Sequence, residues 1–98
     1  MLLALTTEAD AEKAEALAEA LLERRLAACV ALTPLRSLYR WQGQLERSQE
    51  VQLLIKSRPE QLTALEAAVH ELHSYTTPEW LHWLAGSSAD YAAWVAAS

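Results

Sequence analysis

Between Leu26 and Lys56 the chain carries two β-type runs, Leu26 to Trp41 and Gln44 to Lys56, which meet at Gln42-Gly43. Few small folds accept such a hairpin, because a globular strand usually has about five or six residues and each arm here is far longer. In a chain of 98 residues its outer half must project from the body or lie on another copy. Ala28, Val30 and Leu32 alternate on one face of the first arm until Pro34, which cannot donate to a ladder and so requires a bulge or a sheet edge. Beyond it Arg36, Leu38 and Arg40 share one face and Ser37, Tyr39 and Trp41 the other, so the pleat groups the two aromatics. On the second arm Val51, Leu53 and Ile55 form an apolar face, while Leu54 stands between Gln52 and Lys56 and reads as interface rather than core.

The flanking segments supply the rest of one domain, residues 1–98. Leu2-Leu3-Ala4-Leu5 is a short strand. Thr7-Glu8-Ala9-Asp10 predicts an N-cap through the Thr7 hydroxyl, with acids at the positive end of the dipole. The helix is expected from about Glu8 to Arg25, with Ala14, Leu17, Ala18, Leu21 and Leu22 as its stripe. Pro59 opens a second helix that lines up Leu62, Leu65, Val69 and Leu72. Pro78 starts an extended segment, Glu79 to Ala85, and Gly86-Ser87-Ser88 caps a C-terminal helix carrying Tyr91, Trp94 and Val95. The order β-α-β-β-α-β plus a helix predicts an α+β, ferredoxin-like sandwich. Both helices bury their stripes on one sheet face and leave the other bare. Leu38, Leu54 and the aromatics are available to cover it, and a homo-oligomer that shares sheets is the economical resolution.

Charge and composition exclude several classes. An apolar fraction of 52% argues against disorder. Thirteen acids against eight bases give a net charge of −5 with no basic run, which argues against nucleic acid. Cys29 is the single cysteine, so no internal disulfide forms, and the Leu2–Leu5 opening is neither a signal peptide nor a membrane span. A cytoplasmic location with no membrane insertion is expected, with Cys29 as a small buried hydrophobe.

Five ordered blocks, Leu26-Ala27-Ala28-Cys29-Val30, Ser37-Leu38-Tyr39-Arg40-Trp41-Gln42-Gly43, Glu50-Val51, Leu54-Ile55-Lys56 and His73-Ser74-Tyr75-Thr76-Thr77-Pro78-Glu79, resemble the CutA divalent-cation tolerance family. The resemblance covers most of the chain. It implies a compact homotrimer in which long hairpins pack on neighbouring sheets, and an association with copper or other divalent ions. The chain departs from the family pattern in three places: Ser74 stands where a proline is typical, Ala31 where an asparagine is frequent, and Trp80-Leu81-His82-Trp83 replaces an aliphatic strand. Losing the proline frees the backbone around His73. Trp80 and Trp83 fall on opposite faces of a strand, one packing inward and the other, taken as Trp83, making a subunit contact.

Two sets of residues could carry chemistry. His70 and His73 stand at i, i+3, with Glu66 one turn earlier, a spacing that can bring two imidazoles to one ion. No third spaced ligand or HExxH accompanies them, so partly exposed helix residues are the plainer reading. The resemblance favours His73, and Cys29 is the other candidate ligand for a borderline-soft ion such as Cu²⁺ or Zn²⁺. No cofactor is required. His82 is assigned no role and is expected half-buried against backbone. Lys56, Tyr75 and Glu79, walled by Tyr39 and Trp41, would suit a small-ligand cleft between subunits, although packing of the aromatics and a Lys56–Glu79 ion pair compete with that reading. Tyr39, Trp41, Leu54 and Trp83 are the expected trimer interface. Glycine occurs only at Gly43 and Gly86, so there is neither a phosphate loop nor a nucleophile elbow. The expected function is a non-enzymatic homotrimer concerned with divalent-cation tolerance. A trimeric small-molecule sensor, or a stable structural or anchoring trimer, is the alternative.

Overall fold

The two-residue turn closes the hairpin because both of its residues reach positive φ, 51° at Gln42 and 76° at Gly43. That is the type I′ geometry whose twist matches flanking strands. In the computed structural model, which describes residues 1–98, the elements are β1 (Leu2–Glu8), α1 (Ala11–Glu23), β2 (Cys29–Trp41), β3 (Gln44–Ser57), α2 (Leu62–Leu72), β4 (Leu81–Leu84) and α3 (Ala89–Ala97). The strands form one antiparallel sheet in the order β2-β3-β1-β4. Each helical crossover therefore skips one strand, giving the ferredoxin-like α+β arrangement expected from the order of elements.

The β2–β3 register runs without interruption from Cys29↔Lys56 to Trp41↔Gln44. Pro34 thus causes no bulge; it is accommodated because β2 is an edge strand. β1 pairs with β3 only as far as Glu8↔Val51, so the hairpin continues beyond the sheet on its own. The molecule measures 45 × 24 × 22 Å, and its radius of gyration of 14.0 Å exceeds the roughly 12.5 Å expected for this length.

The start of α1 differs from the expectation. Thr7 and Glu8 remain in β1, paired with Gln52 and Val51, and Asp10 is the N-cap, its carboxylate accepting from the Lys13 N–H at 2.8 Å. The helix closes in a Schellman motif: Leu26 N–H reaches the Leu21 carbonyl and Arg25 N–H the Leu22 carbonyl, with Arg25 at a φ of 58°. Ala14, Leu17, Ala18 and Leu21 are buried, whereas Leu22 lies just off the stripe and is exposed. Pro59–Gln61 forms a single 3-10 turn that leads into α2, where Leu65, Ala68 and Val69 are buried. These side chains and Leu2, Ala4, Val51, Leu53 and Ile55 from the sheet make one core.

The opposite face carries Leu3, Leu5 and Thr7 of β1 and Gln52, Leu54 and Lys56 of β3, because paired residues share a face and alternate with the buried set. This face is not wholly bare. α3 folds back towards β3: the Lys56 ammonium lies 5.5 Å from the centre of the Tyr91 ring, and Val95 is buried. Leu54 belongs to this face. Leu38 does not, because it alternates with Tyr39 and stands on the other side of the hairpin.

Candidate functional site

Polar residues collect where β1 ends. Thr6, Thr7 and Glu8 follow an apolar run and are all buried, so each needs a hydrogen-bonding partner. His73, the C-cap of α2, is buried against them. Its Nε2 lies 2.7 Å from the Thr7 carbonyl oxygen and 3.1 Å from Thr6 Oγ1, and its Nδ1 accepts the Tyr75 backbone N–H at 3.0 Å. That acceptance assigns the ring proton to Nε2, which donates to the Thr7 carbonyl. Glu8 stands 3.6 Å from Nδ1; because Nδ1 is an acceptor here, the two groups are close without forming an ion pair.

Glu8 is only 1% exposed, and its carboxylate is satisfied by Ser74, through the backbone N–H at 3.1 Å and through the hydroxyl. A proline at position 74 would supply neither donor. Ser74 therefore furnishes two of the groups that hold a buried carboxylate, beside the Ala9 N–H at 3.4 Å.

The loop after His73 crosses to the helix-free face, where the Tyr75 hydroxyl donates to Glu50 Oε2 at 2.8 Å. Burial, and then the hydrogen bond to the Glu50 carboxylate, push the Tyr75 phenol well above its ordinary value. Around this pair lies a cleft of about 710 Å³ lined by Thr7, Ser37, Leu38, Tyr39, Trp41, Glu50, Tyr75, Thr76, Thr77 and Glu79. It occupies the corner where β1 stops and the hairpin runs on.

The structure thus brings Tyr75, Glu79, Tyr39 and Trp41 together, as expected, but not Lys56. Lys56 pairs with Leu3 and Cys29 at the other end of β3, six residues from Glu50, about 20 Å along a strand. Its ammonium faces Tyr91, and no Lys56–Glu79 ion pair forms. Tyr39, Trp41, Leu54 and Trp83 share the helix-free face. Tyr39, Trp41 and Trp83 are exposed there, as is Leu81.

The three candidate metal ligands remain apart. Cys29 stands on the helix-free face in the row of Leu3, half-buried, while His73 engages Thr6 and Thr7 about 13 Å further along β1. The exposed His70 directs Nδ1 to the Glu66 carbonyl at 2.9 Å. Nowhere do three His, Cys, Asp or Glu side chains converge as a metal site would require. Glu66 instead accepts the Trp80 indole N–H at 3.0 Å, which turns Trp80 towards α2, opposite to Trp83. His82 is exposed rather than half-buried, 6.2 Å from the Trp80 ring. No helix is long and apolar enough to cross a membrane.

Sequence reasoning missed Thr6, Thr7, Glu8 and Glu50. A polar triplet closing an apolar strand was the available signal for the first three. Glu50 carried none beyond its place in a shared block.

The CutA1 divalent ion tolerance protein family model matches residues 2–98. The divalent-cation tolerance protein CutA of Pectobacterium atrosepticum is 48% identical over 96 residues, which span 96% of this chain and 87% of that one. The crystal structure of CutA from Pyrococcus horikoshii superimposes with a TM-score of 0.96 at 33% identity, covering 99% of this chain and 97% of its own. CutA from Archaeoglobus fulgidus, described as periplasmic, gives a TM-score of 0.94 at 31% identity, covering 99% and 97%. With a match along nearly its whole length, the chain belongs to the CutA1 divalent ion tolerance protein family.

Proposed function

We infer that the protein serves divalent-cation tolerance as a non-enzymatic homotrimer, with a ligand cleft at the root of each hairpin. The observation that carries this reading is the hairpin: it extends beyond β1 and holds Tyr39 and Trp41 in solvent on the same face as Leu81 and Trp83. A lone protomer leaves this aromatic surface wet, and rings of this kind are what interface cores select. The cleft between Tyr75, Glu50 and the hairpin supports small-ligand binding over weak divalent-ion binding through His73, Cys29 and His70, because His73 has both ring nitrogens engaged and the candidate ligands form no convergent group of three.

Sedimentation equilibrium tests the assembly, with one trimer mass expected across protomer concentrations. A concentration-independent monomer would remove the reading. Trp41→Ala should weaken the assembly by about 2 kcal/mol or more if the ring is a buried anchor. For the compartment, cell fractionation is the check on the cytoplasmic expectation, since the Archaeoglobus relative is described as periplasmic.

A further inference from the structure

We propose that the helix-side face of the projecting hairpin arm is a docking surface for an acidic segment of a partner protein, gripped by Arg36, Arg40 and Arg47. This goes beyond the assembly reading and takes from it only which face of the arm a neighbouring copy covers.

The register of the hairpin builds the patch. Arg36 and Arg40 stand on β2 either side of Leu38, and Arg47 of β3 is paired with Leu38. Diagonal neighbours on one face of an antiparallel pair lie about 7–8 Å apart, so the three long side chains rise from one small triangle. Leu45, opposite Arg40, and Gln49, opposite Arg36, complete the face. All six residues are exposed and none is acidic. The arm's glutamates, Glu46 and Glu50, are paired with Tyr39 and Leu35 on the other face, so the two signs of charge are segregated. Neither an ion pair nor a side-chain hydrogen bond engages the three arginines, whereas Lys13, Arg24 and Arg58 each have a carboxylate partner.

Assembly does not remove this face. Successive side chains of a strand point to opposite sides, so a neighbour that receives Tyr39 and Trp41 meets one side of the ribbon and turns the arginines outward. In a lone protomer the same face is exposed, so failure of the assembly reading would not decide this one. The chemistry of the face selects its partner. A guanidinium grips a carboxylate through two parallel N–H donors. Leu38 and Leu45, 57% and 60% exposed, lie among the arginines and call for apolar side chains, which a chain of phosphates does not offer. The protein carries a net charge of −5. Its overall field repels extended polyanions such as nucleic acid or an anionic bilayer, while a local positive patch still attracts a short acidic segment.

The probe is a short dye-labelled peptide of repeated Glu-Glu-Leu, titrated with the assembled protein and followed by fluorescence anisotropy. Its controls carry Gln for every Glu, or Ser for every Leu. The Glu peptide should bind saturably with a Kd on the order of 100 μM at low salt, the Gln peptide about tenfold more weakly or not at all, and the Ser peptide more weakly than the parent. Arg36→Gln, Arg40→Gln and Arg47→Gln should each weaken the Glu peptide by about two- to fivefold, and the triple variant by more than about tenfold. Added salt should weaken it further. Sedimentation of the triple variant should return the parent's mass.

Equal binding of the Glu and Gln peptides to the unaltered protein would overturn the proposal, whatever the variants do. So would an affinity indifferent to the triple substitution. Dissociation of the triple variant would place the arginines between copies of this chain and remove the docking surface, while leaving the assembly reading intact. Tighter arginine-dependent binding of inorganic polyphosphate, or of phosphatidylserine vesicles, than of the Glu peptide would assign the face to phosphates and overturn the acidic-protein class.

Discussion

His73→Ala separates a structural histidine from a metal ligand. The side chain is buried, and its removal strands two backbone groups: the Thr7 carbonyl, which Nε2 bonds at 2.7 Å, and the Tyr75 N–H, which donates to Nδ1 at 3.0 Å. Each unsatisfied buried group costs about 1–3 kcal/mol, and the hole left by the ring adds to this. The lower end for the two groups, about 2 kcal/mol, with about 1 kcal/mol for the hole, gives about 3 kcal/mol. For a domain of this size, that is a fall in Tm of roughly 15 °C. Urea unfolding at fixed protomer concentration measures the loss, since assembly makes apparent stability depend on concentration. Calorimetric titration with Cu²⁺ on the folded variant should give an affinity within about twofold of the parent, because the ring has no free nitrogen to lose. A stability change below about 1 kcal/mol, or a tenfold loss of Cu²⁺ affinity, would refute the structural assignment.

Ser74→Pro should cost about 2–4 kcal/mol by removing both Ser74 donors from the buried Glu8 carboxylate and leaving only the long Ala9 N–H contact, with Ser74→Ala costing about half as much; chemical unfolding compares them. Tyr75 is neutral when protonated and its folded value is raised. Its stabilising contribution is therefore complete below the unfolded value near about 10 and is lost as pH rises above it. Tyr75→Phe should abolish that alkaline component in pH-dependent unfolding, and should leave one fewer tyrosine titrating at extreme pH by absorbance. Cys29→Ser should leave Cu²⁺ affinity unchanged in calorimetry, because Cys29 belongs to no convergent group of three ligating side chains.

The parts of the fold set by local pattern were readable in advance: the hairpin, its turn, both helical stripes and the order of elements. The misreadings arise where distant partners decide. Thr7 and Asp10 are both competent N-caps, and only the pairing of Thr7 with Gln52 and Glu8 with Val51 selects the later one. Lys56 was grouped with Tyr75 by shared motif and not by position; the register then separates them by six residues of strand. Glu8 looked like a helix-dipole acid, because nothing local reveals that Ser74 arrives beside it. The bare sheet face was inferred from two helices, and the third helix partly covers it because its apolar pattern does not say where it docks.

The placement of Pro34 on an edge strand has a consequence for solubility. β2 offers thirteen residues of backbone on its outer side, the kind of long straight border that recruits foreign strands into aggregates. Pro34 interrupts the donors along that border, and Arg36 and Arg40 set charges beside it. At the opposite border β4 is only four residues long. Lateral strand addition is thereby discouraged at both margins, while the aromatic face of the hairpin stays open to a partner. Replacing Pro34 with a β-branched residue would be expected to favour fibrillar association over ordered assembly, a change that thioflavin fluorescence would register.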